Sequence, residues 1–126
     1  MNNTLIGVYG TLRKGYGNHR LLHGTKYIGI GFTKNKYKMT ANGIPFVKKD
    51  EEISKIKVEV YSVNNEQLQR LDRLEGYDPN NHDNSWYKRY PVEIILENNK
   101  EVIAGLYFNE QEGNILIESG DYKDYR

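Results

Sequence analysis

The chain has 126 residues, no cysteine and a net charge of +1, from 18 Lys plus Arg against 17 Asp plus Glu. That balance argues against a dedicated nucleic-acid binder or a polybasic membrane-surface protein, and the missing thiols exclude disulfide scaffolds, thiolate zinc sites and cysteine nucleophiles. The length fits a single domain over residues 1–126. With no run near the ~18 apolar residues of a membrane span and no basic, apolar leader at Met1–Val8, a soluble cytoplasmic protein is expected.

The composition leans toward sheet and turns, with 11 Tyr, 3 Phe, 1 Trp and 12 Gly. In chain order, Leu5–Tyr9 reads as a short buried strand ending at Gly10. The segment Tyr9-Gly10-Thr11-Leu12-Arg13, followed by Gly15 and Gly17, then turns among glycines. Such a turn can aim successive backbone N–H groups outward as a cradle for an anion or carbonyl, or it can be an ordinary glycine-rich connection. It lacks the Lys-Ser or Lys-Thr of a phosphate loop, and Arg20 stands where a dinucleotide fingerprint needs its third glycine. Asn18 is placed to cap a single turn through Arg20-Leu21-Leu22, stopped by Gly24. His19 and His23 have helical spacing, but no Glu follows His19 and the third histidine, His82, is distant. Surface histidines are expected there, and no metal site.

Ile28, Ile30 and Phe32 alternate with glycines, and Ile56, Val58 and Val60 alternate with Lys57, Glu59 and Tyr61, so both segments read as strands. Lys48-Lys49-Asp50-Glu51-Glu52 between them reads as a solvated turn. A helix is predicted from about Glu66 to Glu75, with Asn64 as N-cap, Gln67 completing a capping box, and Gly76 at the left-handed C-terminal position. Asp78–Ser85 contains only turn formers and no apolar residue, as suits an active-site rim or a surface excursion. Trp86-Tyr87-Lys88-Arg89-Tyr90 opens a strand that continues through Val92, Ile94 and Leu96. Glu97–Lys100 supplies a hairpin turn, and Val102–Phe108 is a further strand.

Two of these elements carry residues of chemical interest. Glu75 lies seven residues from Leu68 and four from Leu71, on the same helical stripe. A carboxylate among apolar residues at the negative end of a helix is doubly disfavoured as an anion, which raises its pKa and makes it a proton acceptor near neutral pH. The same spacing also allows Glu75 to emerge solvated at the rim of the stripe. Alternation puts Tyr87 and Arg89 on one face, where Arg89 can meet a substrate carboxylate or a structural carboxylate partner. No Gly-x-Ser-x-Gly elbow is present, and the tyrosines lack the basic stripe of a single-stranded RNA platform.

Taken together, Val8-Tyr9-Gly10-Thr11-Leu12-Arg13, Leu71-Asp72-Arg73-Leu74-Glu75-Gly76-Tyr77, Trp86-Tyr87-Lys88-Arg89, Ala104-Leu106-Tyr107 and Ser119-Gly120-Asp121-Tyr122 resemble the γ-glutamylcyclotransferase-like family, in its short AIG2-like branch. The resemblance implies an α+β fold: a small mixed, mostly antiparallel barrel of about six strands with short helices. It implies that Tyr9, Gly10, Thr11 and Leu12 hold the α-amino-acid end of a small-molecule γ-glutamyl substrate. It makes Glu75 the catalytic carboxylate of a cyclisation that releases 5-oxoproline and needs neither metal nor cofactor. Backbone N–H groups of Gly10–Leu12, or the hydroxyl of Tyr87 or Tyr107, would then stabilise the oxyanion. Competing expectations are removal of a γ-glutamyl protecting group from a biosynthetic intermediate, a binding module of the same fold that does not turn its ligand over, and an interaction protein, which would need an exposed apolar patch.

Overall fold

The structure is a computed structural model that describes residues 3–125. Its strands are β1 (Thr4–Val8), β2 (Lys26–Asn42), β3 (Ile44–Lys48), β4 (Ser54–Val63), β5 (Lys88–Leu96), β6 (Glu101–Phe108) and β7 (Ile115–Leu116), with one α-helix, α1 (Asn65–Leu74). Short 3-10 turns occupy His19–Leu22, Pro79–Asn84 and Tyr122–Asp124. The strand path β2-β4-β1-β6-β5 returns to β2 and closes a barrel. All its pairings are antiparallel except β1 with β6. The expected α+β barrel is therefore present, but the strands divide differently: five form the closed barrel, and β3 and β7 pair with β2 outside it.

This division follows from the length of β2. Seventeen residues at ~3.3 Å each overrun a small barrel. Its ladder with β4 shifts register between Phe32 and Lys36, and beyond that irregularity Lys38–Asn42 serve β3. Thr33 supports the bend, donating its hydroxyl to Asn35 O at 2.8 Å and accepting from Ile56 N at 2.9 Å.

Alternation sorts the strands onto two faces. Ile56, Val58, Val60, Ile94 and Leu106 pack with Met39 and Val47 in one core, and each is fully buried. Ile6, Val8, Val63, Tyr87 and Tyr107 form a second core with Leu71 of α1, so the helix covers one wall of the barrel. Glu59 and Tyr61, on the polar side of the β4 alternation, are buried as well, because the segment after β1 folds over them. No helix among the described residues is long and apolar enough to cross a membrane.

Candidate active site

The end of α1 sets the position of Glu75. Asn64 caps the start through the full capping box with Gln67, at 2.8 and 2.9 Å. At the other end Gly76 adopts φ +68°, Tyr77 N–H donates to Asp72 O at 2.8 Å and Gly76 N–H donates to Arg73 O at 3.2 Å. That pair of bonds is a Schellman closure, and it leaves Glu75 as the last residue before the chain reverses. Trp86 N–H donates to Gly76 O at 3.0 Å and Tyr87 N–H to Glu75 O at 3.3 Å, so the start of the Trp86–Tyr90 segment is tied to the helix end.

Glu75 is half-buried and lines a cavity of about 150 Å³ together with Tyr9, Gly10, Thr11, Leu12, Tyr87 and Tyr107. Of the two placements its spacing allowed, the sheltered one holds. Burial, and then the nearby Asp72 anion, push its carboxyl up to about 7 from the usual 4.5. No described residue donates a hydrogen bond to that carboxylate in the structure.

The turn after β1 forms the opposite wall. Arg13 N–H closes it onto Gly10 O at 3.0 Å, and Asn18 N–H donates to Thr11 O at 3.1 Å. Asn18 was expected to cap the following turn; instead its side-chain amide donates to Thr11 Oγ1 at 2.9 Å and holds the glycine-rich segment. A Cβ on Gly10 would stand 2.6 Å from Pro45 Cγ, so β3 presses directly against this turn. Beneath it, the buried Arg13 guanidinium meets Glu59 at 3.2 Å and Asp121 at 2.7 Å. Glu59 also accepts from Tyr61 Oη at 2.7 Å and Lys14 N at 3.1 Å. Gly10, Thr11 and Leu12 donate their backbone N–H groups to no described acceptor, while all three residues line the cavity.

The tyrosine hydroxyls are committed elsewhere. Tyr87 donates to Pro45 O at 2.7 Å, Tyr9 to Tyr107 O at 2.7 Å, and Tyr107 to Asp72 Oδ1 at 2.6 Å. Burial raises the pKa of all three, with Glu75 adding to the rise, so they stay protonated. Each phenol has one proton, and it is spent. The backbone amides of residues 10–12, the Thr11 hydroxyl and the Trp86 indole N–H, all on residues that line the cavity, have no described acceptor.

Arg89 is not brought to the cavity. Its guanidinium forms a two-pronged bond with Asp72, at 2.9 and 3.0 Å, so the structural partner has taken it. Asp72, only 4% exposed, thereby gathers Arg89 and Tyr107 and sets the charge beside Glu75. The sequence reading assigned it no role, although its spacing of four from Leu68 puts it on the same stripe as Glu75. Asn18, read only as a cap, and Trp86, named only as part of a motif, also line the cavity. The Asp78–Ser85 segment is more ordered than its composition suggested: Asp78 caps the 3-10 turn through Asn80 N, and His82 bridges Tyr77 Oη at 3.1 Å and Tyr90 Oη at 3.0 Å. Among the described residues no group of three or more His, Asp or Glu side chains is placed to hold a metal ion.

The arrangement combines a carboxylate raised to about 7, a row of uncommitted backbone donors and a partly open cavity between them. Comparisons with known proteins bear on the family and the fold. The family model described as gamma-glutamyl cyclotransferase, AIG2-like, matches residues 6–124. A "Putative gamma-glutamylcyclotransferase" of Methanocaldococcus jannaschii is 50% identical over 122 residues, covering 96% of this chain and 97% of that protein. The crystal structure of an uncharacterized protein from Pyrococcus horikoshii superposes with a TM-score of 0.71 at 28% identity, over 96% of this chain and 91% of that one. The crystal structure of an AIG2-like protein from Mus musculus superposes with a TM-score of 0.77 at 21% identity, over 97% and 89%, and shares the fold.

Proposed function

The chain belongs to the AIG2-like gamma-glutamyl cyclotransferase family, and from that premise we propose that it cyclises L-γ-glutamyl amines or amides to 5-oxoproline and a free amine. The observation that carries this reading is the placement of Glu75, with its carboxyl raised to about 7, in one cavity with the unengaged amides of Gly10, Thr11 and Leu12.

The substrate's α-amine arrives as an ammonium and cannot attack. Glu75 accepts one proton from it, and the freed nitrogen attacks the γ-carbonyl of the same molecule, closing a five-membered ring. The negative charge that develops on the carbonyl oxygen is met by a backbone N–H of the 10–12 turn, since the hydroxyls of Tyr87 and Tyr107 are already donating. The bond from carbon to the leaving nitrogen then breaks, and Glu75 returns its proton to that nitrogen. The ring nitrogen releases its remaining excess proton to solvent, from which the free amine takes up its own. Ring closure is intramolecular, so the site's main task is to hold the chain folded for attack.

The test is release of 5-oxoproline from a panel of γ-glutamyl compounds by wild type and Glu75→Gln. Wild type should show kcat/KM rising through an apparent pKa near 7 on its acid limb. Glu75→Gln should lose ~10²–10⁴-fold while keeping its fold. Ligand-induced thermal stabilisation without any 5-oxoproline release would mean a binding module and sink the proposal.

A further inference from the structure

A second cavity, of about 490 Å³, borders the Glu75 cavity at Trp86, the one lining residue the two share. Lys49, Lys88, Tyr90, Phe108, Asn109 and Glu110 are in its lining. The strand ends bring these residues together. Lys88 opens β5 opposite Phe108, the last residue of β6, and Asn109 N–H donates to Val47 O at 2.9 Å, which ties the chain after β6 to β3 two residues before Lys49. The Lys49 ammonium lies 3.7 Å over the Tyr90 ring and 5.8 Å from the centre of the Phe108 ring. Such contact holds a cation in place without neutralising it. The lysines beside it in sequence fare differently, since Lys38 and Lys48 both meet Glu51 and Glu112. Among the described residues, Lys49 and Lys88 have no carboxylate partner and Glu110 has no cation partner. Asn109 adds an independent sign. It is 5% exposed, its Oδ1 accepts from Gln111 N–H at 2.9 Å, and its Nδ2 has no acceptor. Buried donors are nearly always paired, so Asn109 marks this end of the cavity as a place for an oxygen.

Two ammoniums against one carboxylate leave the lining with a surplus of one positive charge. Trp86, 48% exposed, and the Tyr90 and Phe108 rings supply its apolar wall. That surplus suits a monoanion better than a phosphate dianion, which Glu110 would repel, and the rings suit a flat apolar body. We propose that this cavity is a second ligand site, for a small aromatic carboxylate, with Lys49 and Lys88 on the carboxylate and Trp86 against the ring. The ligand is held there and not turned over. The site lies outside the Glu75 cavity, so it stands or falls apart from the cyclotransferase reading.

Trp86 is the only tryptophan of the chain, so its fluorescence reports occupancy directly. The experiment titrates the full chain with sodium phenylacetate at constant ionic strength. Saturable binding with a Kd of ~10 mM or tighter is expected. It should be at least about tenfold tighter than that of benzyl alcohol, which lacks the charge, or of acetate, which lacks the ring. Lys49→Gln and Lys88→Gln should each weaken phenylacetate about fivefold or more. Glu110→Gln should tighten it severalfold, a gain that damage to the fold cannot produce. Lys36→Gln, which makes the same charge change at an exposed lysine outside the cavity, should leave it unchanged. A missing response, or a phenylacetate affinity no better than that of benzyl alcohol or acetate, overturns the inference. So does binding that survives intact in both Lys49→Gln and Lys88→Gln, or inorganic phosphate that binds more tightly than phenylacetate. None of these outcomes bears on 5-oxoproline release, which Glu75→Gln tests separately.

Discussion

Asp72 and Glu75 are three residues apart on one helix, and their surroundings give them different work. Asp72 is held by Arg89 and the Tyr107 hydroxyl; Glu75 has no such donors and is raised to about 7. Asp72→Asn removes the anion that helps raise Glu75 and frees the positive charge of Arg89. Both changes favour the Glu75 anion, so the acid limb of the pH–rate profile should move to lower pH. Breaking the ion pair should also cost on the order of 1–3 kcal/mol of stability. A limb that stays near 7 in Asp72→Asn would show that burial alone sets the Glu75 proton. The raised pKa also has a stability consequence with a definite sign. Below about 4.5 the carboxyl is protonated in both folded and unfolded chains. Between 4.5 and about 7 the folded chain binds more protons, so stability falls as pH rises through that window and stays reduced above it. Glu75→Gln should therefore melt a few degrees above wild type at pH 8, with the gap closing by pH 4, in paired thermal melts. Spacing against Leu68 and Leu71 made Glu75 legible in the sequence. Applied one turn earlier, the same rule selects Asp72, whose role depends on Arg89 and Tyr107 from distant strands and so has no local signature.

At the scale of elements, the glycine-rich turn is held by charge from beneath. Arg13 is 3% exposed and bridges Glu59 of β4 to Asp121 near the C-terminus. Gly120 makes that reach possible, with φ +73° and no room for a Cβ, which would stand 1.9 Å from Lys55 O. The C-terminal Ser-Gly-Asp-Tyr segment thus positions the glycine-rich turn without lining the cavity. Asp121→Ala should leave Arg13 paired with Glu59 alone and loosen the turn. The expected signature is a severalfold higher KM with kcat much less affected, and partial recovery in Asp121→Asn; equal losses in kcat and KM binding would assign Asp121 a different role. β4 and β5 were readable from their alternation, β6 from the hairpin turn before it, and α1 from its caps. The second half of β2 was not, because Lys34-Asn35-Lys36 looks like a loop, although Tyr37, Met39 and Ala41 alternate inward beyond it. β3 was hidden by Pro45, which breaks a strand pattern but is tolerated here because β3 sits at the edge of the sheet. Pro45 is also where Gly10 and the Tyr87 hydroxyl meet β3, so the missed strand is a wall of the site.

For the molecule as a whole, everything depends on closing the barrel between β2 and β5. Gly31, Phe32 and Thr33 pair with Leu96, Ile95 and Ile94, and this short ladder removes the free edges that the other four pairings would leave. The two backbones cross so closely at Gly31 that a Cβ there would lie 2.0 Å from Ile95 O and 2.7 Å from Leu96 Cα. Neither obstacle is a side chain able to rotate aside, so Gly31→Ala must part the strands. Parting them breaks the closing hydrogen bonds and opens the core around Val58, Ile94 and Leu96. The loss should reach about 3 kcal/mol or more, enough to lower the melting temperature by ~10 °C or to prevent folding. β5 also extends the Trp86–Tyr87 segment that walls the cavity, so ligand binding should weaken along with stability. Gly17→Ala is the matching control: a Cβ at Gly17 meets nothing within 4 Å, and the change should move the melting temperature by no more than ~2 °C. If Gly31→Ala melts like Gly17→Ala, the β2–β5 contact does not hold the barrel shut, and the small α+β barrel would have to be held closed by its two cores alone.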